Sequence, residues 1–192
     1  MPSIYILLTR TNSTLSRVIA SHTKEDYVHA SIILNNHVEH GYSFSRRKMT
    51  NPLIGGFVKE DYPEWVTYFK DVQCCIYELE VTDKQYQKVD EIIKSFDAEK
   101  KKYKYHFLGV VAQSLKIDYE RKNRFFCTQF VSHVLMEAGA LDLDKPPIHV
   151  RSDDFRNHQQ LKQVYEGSLE MVFYKVIDEL PESQSELDEE VS

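Results

Sequence analysis

The chain has 192 residues, 42% hydrophobic and 28% charged, with 12 Tyr, 10 Phe and only 3 Cys. These proportions fit one compact domain with a sizeable core, and exclude a collagen-like chain and a disulfide-framed mini-protein. The formal net charge of −6 is local: residues 178–192 carry seven acidic side chains and no basic one, which leaves the remainder at +1.

That acidic segment holds Pro181 and no aromatic residue, so it cannot bury enough apolar surface to offset ordering and is expected to be a disordered tail after a single domain over 1–177. Lys and Arg form only short clusters, Arg46-Arg47-Lys48 and Lys100-Lys101-Lys102. Neither is a nucleic-acid footprint. No apolar run approaches the ~20 residues of a membrane span. The N-terminal apolar run has no basic flank before it and no small-residue cleavage site after it. A cytoplasmic protein without stable membrane insertion is the expectation.

In chain order, residues 3–9 are apolar almost throughout and predict a strand covered on both faces. Ser13 or Ser16 can cap a short helix that turns Leu15, Val18 and Ile19 inward. Residues 27–34 and 37–44 read as a hairpin about Asn35-Asn36. If that is a two-residue turn, His29 faces Tyr42, Ser31 faces His40, and all four share one face. A one-residue slip puts Glu39 in place of His40. Residues 46–68 contain Pro52, Gly55-Gly56 and Pro63, and read as a surface excursion with short extended pieces.

Residues 74–81 alternate as a strand, ending at a Thr82-Asp83-Lys84-Gln85 capping box. The helix behind it places Tyr86, Val89, Ile92, Ile93 and Phe96 on one face. A second helical stretch carries Phe107, Val110, Val111, Ser114 and Leu115. A third runs from Phe126-Cys127 to about Ala138, with Gly139 as its end. Ser152 caps a short polar helix, and residues 170–176 read as a closing strand. Strands and helices are largely segregated, so the predicted class is α+β, an antiparallel sheet packed against helices.

The cysteines divide. Cys74 and Cys75 are neighbours in a strand, point to opposite faces and cannot converge on a metal or form a redox pair. Cys127 lies in Phe125-Phe126-Cys127-Thr128-Gln129-Phe130-Val131, at the expected first turn of a helix. There the unpaired amides and the macrodipole favour a thiolate and can receive an oxyanion. A nucleophilic Cys needs a His oriented by a third polar group. His22, His37, His149 and His158 fall in turns or polar stretches, and His106 and His133 on helices. His29 begins an apolar strand, with the small residues Ala30 and Ser31 leaving room before its ring, and His40 lies diagonal to it. Tyr42, Ser31 and Phe126 are the candidate substrate contacts around this group.

A His-Ala-Ser strand, a polar residue eleven positions later and a downstream Phe-Cys-Thr-Gln-Phe-Val helix start together resemble the circularly permuted papain-like cysteine hydrolases. These form the YiiX-like branch of the NlpC peptidase superfamily, related more distantly to lecithin-retinol acyltransferase-like enzymes. His29 before Cys127 is the permuted order. Tyr42-Ser43-Phe44-Ser45-Arg46, Gly55-Gly56-Phe57-Val58, Tyr103-Lys104-Tyr105 and Tyr165-Glu166-Gly167 extend the likeness, to a bacterial subgroup, over about residues 3–176.

The resemblance implies Cys127 as nucleophile, His29 as general base and then acid, and His40 as third member, where relatives often carry Glu. The implied activity is a thiol hydrolase or acyltransferase that cleaves an amide or ester through an acyl-enzyme. A small peptide or amino-acid amide is the expected substrate, and the chemistry needs no metal or organic cofactor. The alternatives are a catalytically silent binding module on the same fold and a lipid-directed acyltransferase or thioesterase. For catalysis, the Cys127 sulfur must come within ~4 Å of a His29 ring nitrogen beneath a cleft.

Overall fold

The structure is a computed structural model that describes residues 1–13, 16, 17, 20, 21, 24–35, 38–48, 51–106 and 121–175. Of the helix expected after Ser13, residues 16, 17, 20 and 21 are described and are helical, with the Arg17 N–H donating to the Ser13 carbonyl at 3.0 Å, while 107–115 and the acidic tail lie outside these residues.

The chain has an α+β fold. Strands β1 (Ser3–Arg10), β2 (His29–Ile33), β3 (His40–Lys48), β4 (Asn51–Asp61), β5 (Gln73–Glu80) and β8 (Lys162–Ser168) form one antiparallel sheet in the order β4-β3-β2-β1-β5-β8. Two short parallel strands, β6 (Lys104–Tyr105) and β7 (Arg124–Phe125), form a separate ladder. The helices are α1 (Tyr62–Tyr68), α2 (Asp83–Ala98), α3 (Cys127–Glu137), α4 (Ser152–Arg156) and α5 (Leu169–Lys175).

Strand β1 is central, and alternation along it feeds two cores. Ile4, Ile6 and Leu8 join Val89, Ile93 and Phe96 of α2 and Phe130, Val131 and Val134 of α3. Tyr5 and Leu7 join Tyr62 and Trp65 of α1 and Leu169 and Val172 of α5. Burial on both sides explains the nearly continuous apolar run of β1. Cys74 and Cys75 divide between the two cores as their adjacency requires.

The capping box before α2 is present: Gln85 N–H donates to Thr82 Oγ1 at 3.2 Å, and Thr82 N–H to Gln85 Oε1 at 2.9 Å. Helix α3 is followed by Gly139 at φ +63°, the left-handed turn a glycine accepts at little cost. Helix α4 has Arg151 at its N-cap, not Ser152; Asp154 reaches back to accept the Arg151 N–H at 2.7 Å.

Three further expectations are corrected. Residues 46–68 are not an excursion but the end of β3, all of β4 and α1. Gly55 and Gly56 lie inside β4 because residues 103–105 cross closely above them: a Cβ on Gly55 would stand 2.7 Å from Tyr105 Cβ, and one on Gly56 2.7 Å from the Tyr103 carbonyl oxygen. The closing strand is β8, and residues 169–175 are helical. Leu169 and Val172 are buried and Phe173 packs against them, an i, i+3, i+4 stripe that a short apolar run conceals.

The third correction is the hairpin register. Ile32 pairs with Tyr42, three positions from the expected His29–Tyr42 pairing. An odd shift turns the return strand over. His29 and Ser31 therefore share their face with Gly41 and Ser43, while His40 and Tyr42 go to the other.

Candidate active site

Helix α3 begins at Cys127, with Phe126 as an N-cap residue whose side chain makes no capping hydrogen bond. Its first amides thus have no side-chain acceptor. The helix is seated by Thr128 Oγ1, which donates to the Val150 carbonyl at 2.7 Å, and by Phe130 and Val131 in the core. This brings Cys127, 5% exposed, to the start of β2, where its thiol donates to the Val28 carbonyl at 3.9 Å.

His29 is the next residue, close enough to Cys127 for the sulfur's charge to raise the imidazole's pKa. Its Nε2 lies 2.8 Å from Glu60 Oε1, which leaves Nδ1 as the nitrogen open to the thiol. The indole of Trp65 packs on the imidazole with ring centroids 5.5 Å apart. Burial by itself pulls the imidazole's pKa down; the Glu60 carboxylate and the Cys127 thiolate together outweigh it and push it up to about 10. Near neutral pH, His29 is held as an imidazolium beside the Glu60 carboxylate.

Glu60 is 3% exposed and fully provided with donors. Besides His29, Ser31 Oγ donates to its Oε2 at 2.5 Å and Tyr62 Oη donates to the same oxygen at 3.3 Å. Burial, and next the adjacent Glu60 charge, hold the Tyr62 phenol well above its ordinary pKa, so it remains a donor. A buried carboxylate needs such partners, and charge-assisted bonds of this kind fix geometry. The helix start directly behind it is reinforced separately, since Asp61 accepts the Glu64 N–H at 2.9 Å and Pro63 stands in the first turn.

Of the residues singled out in the sequence, Cys127, His29 and Ser31 come together. Ser31, fully buried, positions Glu60 and is 3.4 Å from His29 Nε2, so it serves the site from beneath and does not face a ligand. His40 does not orient His29. It lies opposite Asp61 at the far end of the β3–β4 ladder, and Glu60 takes the third position. Tyr42 packs in the core under α2, stacked on Phe57 at 6.2 Å, and Phe126 is 1% exposed; neither lines the cleft beside His29. His106 follows β6 instead of lying on a helix, its N–H donating to the Phe125 carbonyl.

Glu60, Tyr62 and Trp65 are hidden in the sequence because Pro52, Gly55-Gly56 and Pro63 give their segment the local pattern of irregular chain. Two signals were present: a glycine inside a strand at Gly41, and Asp61-Tyr62-Pro63-Glu64, a helix start that fixes Glu60 at a strand end.

A cleft of ≈ 60 Å³ opens beside the imidazole, bounded by Thr9, His29, Arg46, Trp65, Phe69 and Tyr105 among others. It adjoins a broader groove of ≈ 450 Å³ that shares Ser45, Arg46 and Trp65. Among the described residues no three His, Cys, Asp or Glu side chains are grouped to hold a metal ion, and no helix is long and apolar enough to cross a membrane.

No protein-family model and no curated protein matches the chain. Among solved structures it is similar to the crystal structure of metalloprotein yiiX from Escherichia coli O157:H7, with a TM-score of 0.55 at 16% identity. The match covers 87% of this chain and 98% of that one. The two share a fold.

Proposed function

We propose that this chain is a thiol hydrolase or acyltransferase of the permuted papain-like type, acting on an amide or ester carbonyl through Cys127, His29 and Glu60. The observation that carries the reading is the single connected array from the α3 N-terminus to β4: thiol, imidazolium, buried carboxylate. A protonated imidazole beside a thiol is the arrangement that supplies a thiolate nucleophile.

In the reaction, the Cys127 sulfur forms a bond to the carbonyl carbon and the oxyanion is received by the first α3 amides. His29 gives its proton to the leaving amine or alcohol as the carbon–heteroatom bond breaks. The neutral imidazole then takes a proton from water, or from an acceptor nucleophile, as that group attacks the thioester carbon, and the carbon–sulfur bond breaks to release the acyl product and return the Cys127 thiolate beside the imidazolium. Glu60 accepts from Nε2–H throughout and keeps Nδ1 toward the sulfur. The fold shared with yiiX supports the architecture, and the permuted order of His29 before Cys127 supports the assignment to this type. The yiiX protein is described as a metalloprotein; the described residues here offer no three-residue cluster for a metal, and no step runs through one.

Alkylation by iodoacetamide tests this. Cys74 and Cys75 are both 0% exposed, and burial raises the pKa of each thiol, so native labelling should fall on Cys127 and slow when His29 is replaced by Ala. Labelling of all three cysteines only after unfolding would favour the silent binding module. An amide, ester and thioester library screened against wild type and Cys127→Ala then identifies the bond cleaved.

A further inference from the structure

Besides the Glu60-paired His29, the described residues of the cleft supply one cation and unmet polar groups. Arg46, from the end of β3, is half-buried with its guanidinium 5.1 Å from the centre of the Phe69 ring. Among the described residues no carboxylate forms a salt bridge with it. Its neighbour Arg47 is spent differently, donating to the Lys100 and Tyr103 carbonyls at 2.5 and 3.0 Å. Thr9 is 1% exposed and Ser16 6%. Both line the same cleft, and both have buried hydroxyls with no hydrogen-bond partner. Buried polar groups normally find partners, so a half-buried guanidinium and two orphan hydroxyls around one cavity mark a site completed by something outside the fold.

We propose that Arg46, with Thr9 and Ser16, forms an anion subsite that holds a carboxylate of the substrate close to the scissile carbonyl. This rests on the thiol-hydrolase reading and narrows its substrate to carboxylate-bearing acyl or peptidyl compounds. A single planar guanidinium offers a fork matched to a carboxylate. The cleft has room for about four waters, which suits a compact, singly charged group. Among the described residues Arg46 is the one Lys or Arg that bounds it, and the His29 imidazolium is already paired with Glu60, so no second unpaired cation favours the dianionic charge of a phosphate. Burial lowers the Arg46 pKa, in keeping with a charge that has no counter-ion among the described residues. The Phe69 and Trp65 rings supply apolar walls for the rest of the ligand.

The chain's one tryptophan, Trp65, lines the cleft and reports occupancy without turnover. Trp emission of the Cys127→Ala protein is titrated with N-acetyl-L-alanine, N-acetyl-L-alaninamide and methyl phosphate. The carboxylate should bind at least about tenfold tighter than its neutral amide, a preference of the size one charge-assisted bond supplies. Arg46→Gln should erase that preference and Arg46→Lys should keep part of it. Equal binding of acid and amide by the Arg46-containing protein overturns the proposal without need of a variant. So does a preference that survives Arg46→Gln, or tighter binding of methyl phosphate. Failure of Cys127 to label would instead overturn the hydrolase reading, whatever the carboxylate result.

Discussion

The carboxylate of Glu60 reaches His29 Nε2, at 2.8 Å, across the position of Gly41, the β3 residue paired with Glu60 itself. One strand, β3, thus separates the backbones of acid and imidazole, and the missing side chain of Gly41 leaves room for the Tyr62 hydroxyl that donates to Glu60. The orientation of His29 depends on sheet register as much as on the identity of either side chain.

Replacing Glu60 by Gln keeps the shape and removes the charge that most raises the His29 pKa. Burial, which pulls it down, then meets less opposition. The His29 pKa should fall, readable as the midpoint of its ring-proton titration by NMR. Turnover should drop on the order of 10²- to 10⁴-fold, the usual weight of a positioned acid–base group. An unchanged midpoint with full activity would remove Glu60 from the array.

The same shift makes stability depend on pH. His29 stands at 6.5 in the unfolded chain and at about 10 in the fold. The folded state therefore binds more protons between those values, and ΔG of unfolding falls as pH rises through that window. The contribution is fully present below about 6.5 and is lost on passing about 10. Urea denaturation at pH values spanning the window should show this decline in wild type and a flatter profile in Glu60→Gln.

His40→Ala discriminates the two candidate third residues directly. His40 belongs to the other face of β3, so its loss should leave the Cys127 alkylation rate and its pH profile unchanged, in contrast to Glu60→Gln. A fall for His40→Ala equal to that for Glu60→Gln would return His40 to the site.

Much of this was legible in residues whose local pattern and tertiary role agree. The apolar run of β1, the Thr82–Gln85 box and the Phe-Cys-Thr-Gln-Phe-Val start of α3 each specify their element locally. The acid was not legible, because β4 contains Pro52, Gly55 and Gly56, all local signals of irregular chain. Its glycines answer a long-range demand, the crossing of residues 103–105, which no local pattern reports. Register failed similarly. A two-residue turn at Asn35-Asn36 puts His40 and Tyr42 on the wrong face, and a hairpin buried on both faces offers no hydrophobic alternation against which to check a slip.

Gly41 gives the sharpest test of the bridging geometry. A Cβ there would stand 2.1 Å from Tyr62 Oη, 3.0 Å from Tyr62 Cζ and 3.2 Å from the Ile32 carbonyl oxygen. Tyr62 is fully buried and held between Trp65, at a 5.7 Å centroid distance, and Glu60, so it has little room to withdraw. Gly41→Ala should cost about 1–3 kcal/mol, as overpacking of a filled site does, and should slow Cys127 labelling by displacing the Tyr62 hydroxyl from Glu60. Tyr62→Phe removes the closest contact and leaves the one to the ring carbon. The double variant should therefore be less destabilised than the sum of the two singles, with a coupling of about 0.5–3 kcal/mol in a double-mutant cycle by urea denaturation. Strict additivity would mean that alanine at position 41 is accommodated by movement of the strand, and that Gly41 is dispensable to the path from Glu60 to His29.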